Sequence, residues 1–330
     1  MKNSNDYINE KVFKTNKKYA KLQNLTEELF FQCLDEGRSV EYFYKKLEEI
    51  WGNIDHSFIQ QDIQEYANLI ETNNYYLLEQ EQAPKGTKTT SNLLFAIGIG
   101  IYVLSEEKFM NIIKKRYEMY FNSPEYKRNK EEYLKRKVKN YDNQVIPYYD
   151  KDGNIIRWVQ LSTYLSMRYN TELTKAGWNK TIEDALELGY DEFWIPPHLF
   201  SCEHCIKYQG RILTYSEVME FTQAEEHEND ILHPNCKCEL LIYTPNTHLI
   251  YQNLSSSEAD EYYNIRQKVN SLTLKKERIL TDMKIQKRLG NQDEVDTLNS
   301  QRKKINTQIR ELINSLPTEE MRKKVVAINR

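Results

Sequence analysis

Four of the five cysteines in this 330-residue chain fall between His198 and Pro245, in two tight pairs, and this pairing constrains the fold more than any other feature. Cys202 and Cys205 form a Cys-x-x-Cys in Phe200-Ser-Cys-Glu-His-Cys-Ile. Cys236 and Cys238 close His233-Pro-Asn-Cys-Lys-Cys, about thirty residues later. Each pair presents two sulfurs from one turn, and each adjoins a β-prone segment: Tyr208-Gln-Gly-Arg-Ile-Leu after the first, Glu239-Leu-Leu-Ile-Tyr after the second. Two knuckles beside two strands can close a four-ligand tetrahedral zinc site. Cys202, Cys205 and Cys236 are its expected ligands, with either His233 or Cys238 supplying the fourth bond.

Disulfides are the competing use of such pairs. The chain shows no signal-peptide pattern, so the thiols are expected to stay reduced. Reduced inert thiols and a redox or catalytic role are the remaining alternatives. A catalytic zinc keeps one position open for water, yet no HExxH, no deaminase-type HxE beside PCxxC and no third carboxylate ligand accompanies the cysteines. The sequence therefore points to a closed, structural zinc, and it nominates no catalytic and no organic cofactor-binding residue.

With 39% hydrophobic and 29% charged residues, the chain is long enough for two or three domains and too polar for a membrane protein. Only 10 glycines and 8 prolines mean few breaks and long helices; the 24 tyrosines read as the mark of an AT-rich genome. A net charge of −3 argues against a dedicated nucleic-acid binder.

Residues 1–142 read as a helical region. Leu25, Leu29, Phe30 and Cys33, then Val40, Phe43, Leu47 and Ile50, repeat at three and four residues, with Glu-Gly and Trp-Gly as stops. Cys33 is thus expected to be a core thiol. A longer helix is expected over Ser57 to Gln82, then a polar hinge from Ala83 to Ser91. Leu93 to Leu104 is the most apolar run, too short for a bilayer and halted by Ser105-Glu-Glu; it reads as a buried helix. Between Lys108 and Lys139 the basic residues are diluted by Glu118, Glu125, Glu131 and Glu132, giving an ion-paired, solvated face more readily than a DNA groove.

Residues 143–248 read as a small α+β module. Val145 to Val159 has the pattern of a β-hairpin turning at Asp152-Gly153. A helix from about Ser162 to Leu188 carries Leu165, Tyr169, Leu173, Ala176, Ile182, Ala185 and Leu186 and stops at Gly189. A strand at 191–195 leads into the first knuckle, and a helix at about Ser216 to Ala224 precedes an acidic loop, Glu225 to Asp230, read as solvated charge. The expected order is β-β-α-β-knuckle-β-α-knuckle-β. Residues 249–330 read as an antiparallel helical hairpin and a basic tail. Its first helix opens at Ser255-Ser-Ser-Glu258 and runs to Leu289; after Gly290-Asn291 a second carries Val295, Leu298, Ile305, Ile309, Leu312 and Leu316 and stops at Pro317. The fold class is α+β, mainly α.

At these residues the chain resembles a known family. Trp158-Val-Gln-Leu-Ser-Thr-Tyr-Leu-Ser-Met, Leu188-Gly-Tyr-Asp, His198, Cys205, Tyr208-Gln-Gly and His233-Pro-Asn-Cys-Lys-Cys are similar to the bacteriophage minor capsid proteins, specifically the phage minor capsid protein 2 group and the related Mu F-like head morphogenesis proteins. The likeness covers about residues 150–316. It departs at Asn170-Thr171, where many members carry arginine before the threonine, and at Cys205 and Cys238, where relatives often have histidine, another zinc ligand. The resemblance implies a minor head protein at the portal vertex, present in the virion head and, during assembly, in the host cytoplasm. It further implies roles in head morphogenesis and in DNA packaging or ejection, with the portal protein, capsid or scaffolding protein and phage DNA as partners, and no stable membrane span. Binding rather than turnover is expected. The alternative is a zinc-knuckle nuclease or phage-borne toxin, for which His198, His204 and His227 are the spare candidates.

Overall fold

The computed structural model describes residues 4–79, 93–149, 154–196, 206–208, 210–223, 232, 236, 238–245, 257–316 and 319–328. The protein is mainly helical with a few short antiparallel strands. Helices α1 (Ser4–Glu36) and α2 (Val40–Trp51) end at the expected Glu-Gly and Trp-Gly stops, α3 spans Ser57–Glu79, and Ser39 caps α2 by accepting the Tyr42 amide at 3.3 Å. Residues 80–92, including the expected hinge, lie outside the described residues.

The large core gathers around Phe30, whose ring meets Phe31, Phe43, Tyr117, Tyr120 and Tyr141 at centroid distances of 5.2–5.7 Å. Tyrosine earns its place here through both of its ends. Tyr117 and Tyr102 bury their rings while their hydroxyls donate to the Arg38 and Leu165 carbonyls at 2.9 and 3.0 Å. The tyrosine surplus, attributed above to genome composition, thus has a structural use. Cys33 is buried in the same core, and burial pushes its thiol up to about 11, as fits an unreactive side chain.

Helix α4 (Leu93–Phe121) corrects the expectation of a stop at Ser105: the apolar run and the following charged stretch are one helix. Ser105 and Glu106 are themselves buried. Glu106 is tolerated because Tyr19 donates to it at 2.6 Å and His56 Nε2 lies 3.0 Å from the same oxygen. The run is also not buried all round, since Tyr102 is inside while Leu104 is 67% exposed. Among the described residues no helix is long and apolar enough to cross a membrane. Helices α5 (Pro124–Arg128) and α6 (Lys130–Lys139) follow, and the basic residues here do pair: Lys114 with Glu48 at 2.7 Å, Lys135 with Glu131 at 2.7 Å, and Arg136 with Glu125.

Strands β1 (Ile146–Tyr149) and β2 (Ile155–Val159) pair antiparallel with Ile146 opposite Val159, and the expected turn at Asp152-Gly153 lies outside the described residues. Helix α7 (Leu161–Leu188) then serves two cores. Leu161, Leu165, Tyr169, Leu173 and Ala176 belong to the large one, whereas Trp178, Ile182 and Ala185 belong to a second. It ends at Gly189, at φ 80°. Strands β3 (Glu192–Trp194), β4 (Ile212–Thr214) and β5 (Leu241–Ile242) form an antiparallel sheet in the order β4-β3-β5, with α8 (Tyr215–Gln223) between β4 and β5. Phe193, Leu213, Val218 and Ile242 pack beneath α7 in the second core. The order of strands and helices here, β-β-α-β-β-α-β, is the one read from the sequence, while the expected first knuckle lies outside the described residues.

At Gly177 the backbone of α7 passes so close to α3 that an added Cβ would lie 2.7 Å from Tyr66 Cε1. Gly177→Ala gains about 1 kcal/mol in helix propensity. Because Tyr66 is a buried ring without room to withdraw, overpacking of roughly 1–3 kcal/mol should outweigh that gain, which a urea titration will register as a lower midpoint at unchanged slope.

Helix α9 (Ser257–Arg288) and α10 (Gln292–Asn314) bury Ile279 with Leu298 and Ile305 between them, and Ile265 and Val269 with Leu316 at their far ends. The residues read as a basic tail instead form α11 (Glu319–Ile328), because Val325 finds full burial against Ile265, Val269 and Leu316. Helix α9 also packs on α1: Ile285 and Leu289 join the large core, both guanidinium ends of Arg278 donate to Glu27, and Lys284 reaches Glu28 at 3.0 Å.

Candidate metal centre

Of the five nominated ligands, Cys236 and Cys238 are placed, whereas Cys202, Cys205 and His233 lie outside the described residues. His198, His204, His227 and the acidic loop do as well. Among the described residues no group of three or more histidine, cysteine or acidic side chains stands together.

Cys236 and Cys238 sit in the second core with Trp178, Ile182 and Leu240, each 1% exposed. The chain around them is held by side chains of α7 bonding its carbonyls. Asn170 Nδ2 donates to the Cys236 carbonyl at 3.0 Å, Trp178 Nε1 to the Cys238 carbonyl at 2.8 Å, and Thr181 to the Leu240 carbonyl at 3.2 Å. The Thr174 hydroxyl lies 2.9 Å from the Asn170 carbonyl and 3.4 Å from that of Cys236. Sequence reasoning treated Asn170 only as a departure from a family pattern. Its side chain holds the Cys236 carbonyl, and the available signal was the set Asn170, Thr174, Trp178 and Thr181 at four- and three-residue spacing on one helix face.

Two further backbone features border the pair. Leu232 is the one non-glycine residue at positive φ among the described residues, at 61°, and it is fully buried in the second core. Such a conformation costs on the order of 1 kcal/mol and is held by the packing of the side chain. Gly210, of the Gln209-Gly210 pair, stands at φ 72° and donates to the Ile195 carbonyl at 2.8 Å, starting the chain back along β3. A residue with a Cβ is disfavoured there.

Soft sulfur donors held in an apolar core suit zinc in a closed structural position, so Cys236, and Cys238 as one of the two candidates for the fourth bond, fit such a donor set. A bound zinc would supply a tetrahedral cross-link between the two knuckles, and this chain's part is to bury and aim the sulfurs.

His56, which no sequence pattern singled out, lies at a second polar cluster with Glu106 and Tyr19 at the junction of α1, α3 and α4. Burial raises the Tyr19 hydroxyl above its ordinary pKa, so it remains an O–H donor to the carboxylate. This cluster ties three helices together through one buried carboxylate. Comparison with known proteins adds no relative to this picture: no family model, no curated protein and no solved structure matches the chain.

Proposed function

We propose that the chain is a phage minor head protein that acts at the portal vertex in head morphogenesis, with a zinc-stabilised α+β module and a C-terminal helical hairpin. The observation that carries this reading is the fate of its most family-like motif. In His233-Pro-Asn-Cys-Lys-Cys both cysteines are inside a core and their carbonyls are bound by a helix, which is how a motif conserves a fold rather than a reactive centre. The resemblance over residues 150–316 supplies the partners: the portal protein, capsid or scaffolding protein, and DNA in transit.

In this reading the N-terminal helices contact portal or capsid, the module is a rigid metal-tied piece, and α9 with α10 forms the hairpin that braces α1. Zinc matters only through folding. In infected cells the protein should co-sediment with portal-containing procapsids at few copies per particle. Particles assembled without it should have normally shaped heads but reduced infectivity. Failure to co-sediment, together with Mg²⁺-dependent plasmid cleavage that vanishes on substitution of His198, His204 or His227, would replace this reading with the nuclease.

A further inference from the structure

We infer that the polar face of α7, through Asn170, Trp178 and Thr181, is a positioning rail that sets the register and direction of the Cys236 and Cys238 thiols. This deepens, and rests on, the zinc reading of that pair. The donors stand at positions 170, 174, 178 and 181, one face of a helix, and the carbonyls they reach belong to residues 236, 238 and 240, every second residue of the facing chain. Thr174 and Trp178 stand four residues apart, about 6 Å along the helix. They reach the carbonyls of Cys236 and Cys238, and Asn170, one turn earlier, makes a second and shorter bond to the Cys236 carbonyl.

The fit has a chemical result. Holding the carbonyls of Cys236 and Cys238 fixes the peptide group on the C-terminal side of each cysteine, and so the place from which each sulfur is presented. Losing that register would leave the buried Asn170 and Trp178 N–H groups without these acceptors, which makes it costly. Leu232, buried in the same core at φ 61°, is a second fixed point four residues before Cys236. Groups that orient a metal's ligands without touching the metal typically change its affinity by about 10–100-fold.

The full-length chain, purified without chelator, carries the test. Asn170→Asp removes an N–H donor and keeps the side chain's shape, Trp178→Phe removes the indole N–H while keeping an aromatic ring of smaller size, and Thr181→Ser retains its hydroxyl and serves as the conservative control. Three quantities are read: zinc per chain, the rate of zinc transfer to a chelating dye, and the rate of maleimide labelling at Cys236 and Cys238 resolved by peptide mass spectrometry. The double variant should release zinc and label at least about tenfold faster than the parent at unchanged helicity, with Thr181→Ser like the parent. Parental rates of both release and labelling in the double variant would overturn the inference. If the parent holds no zinc, the zinc reading falls by itself, and labelling alone decides the rail: about tenfold acceleration supports it and equal rates remove it. Should the double variant lose helicity, the single Trp178→Phe chain is read by the same criteria.

Discussion

Arg278→Leu should destabilise the protein by roughly 3–5 kcal/mol, one of the largest effects expected of any single substitution in it. The reason lies in Glu27, a carboxylate almost wholly buried on α1 whose two oxygens are both satisfied by Arg278 of α9. Burial is the dominant influence on this carboxyl and raises it to about 7 even with Arg278 pulling the other way. Without Arg278 the charge would stand in the core unpaired, and Glu27 would take up a proton instead.

The sign of the pH dependence follows. A folded-state pKa above the ordinary value near 4.5 contributes stability below that value and loses it as pH rises through the folded pKa. Removing Arg278 raises the folded-state pKa further, so parent and variant lose stability in parallel from about pH 4.5 to 7, and the deficit of the Arg278→Leu protein should deepen as pH rises above about 7. Urea titrations at several pH values measure it, and Glu27→Leu with Arg278→Leu should recover part of the loss, because Glu27 is no longer stranded while Asp282 still lacks the Arg278 guanidinium 3.3 Å away. A single-variant loss below about 1 kcal/mol at neutral pH would mean that water reaches the pair.

Cys236→Ser should abolish zinc binding and unfold the small core while leaving most of the helical signal in place. Structural zinc sites bind with apparent energies of about 10–16 kcal/mol, more than a module of this size holds by itself, so in the zinc reading metal binding and folding would be one event. The first half of α7 is committed to the large core, which is why helicity should survive. Near-ultraviolet signals should separate the two bodies: Trp178 and Trp194, on α7 and the small sheet, lose their fixed environment, and Trp51 in the large core keeps its own. A chelator should reproduce the effect on the parent chain. Protein free of zinc when purified without chelator, or a Cys236→Ser chain that retains the metal, would defeat this expectation.

Where helices stop was readable because stops are local: Gly37, Gly52, Gly189 and Gly290-Asn291 each act within a turn of their own position. The β-β-α-β order was readable for the same reason. What escaped depends on partners distant in sequence. Ser105 and Glu106 looked like the end of a buried run because a serine and a carboxylate ordinarily meet water, and nothing near them announces Tyr19 or His56. The double allegiance of α7 was hidden because its buried face includes Asn170, Thr174, Lys180, Thr181 and Asp184, which an apolar stripe leaves out. Lys180 and Asp184 are inside because they bond each other at 2.7 Å, with Asn74 of α3 donating to Asp184 at 2.9 Å. The cysteines themselves were conspicuous. Their supports were not, since a carbonyl acceptor has no residue type to betray it.

The placement of α1 has a consequence for how the protein is made. Its long partner α7 begins about 125 residues after α1 ends, so at roughly 5–20 residues per second the first helix waits roughly 6–25 s on the ribosome before that partner is even synthesised. Glu27 waits longer still, until Arg278 of α9 has been made. Before α7 is made, α1 can lean only on the elements from α2 to α6, with the face that meets α7 and one carboxylate unmatched. The surroundings of the first helix are therefore completed late, and a ribosome that stops before Arg278 leaves a product whose first helix is the part most in need of a chaperone.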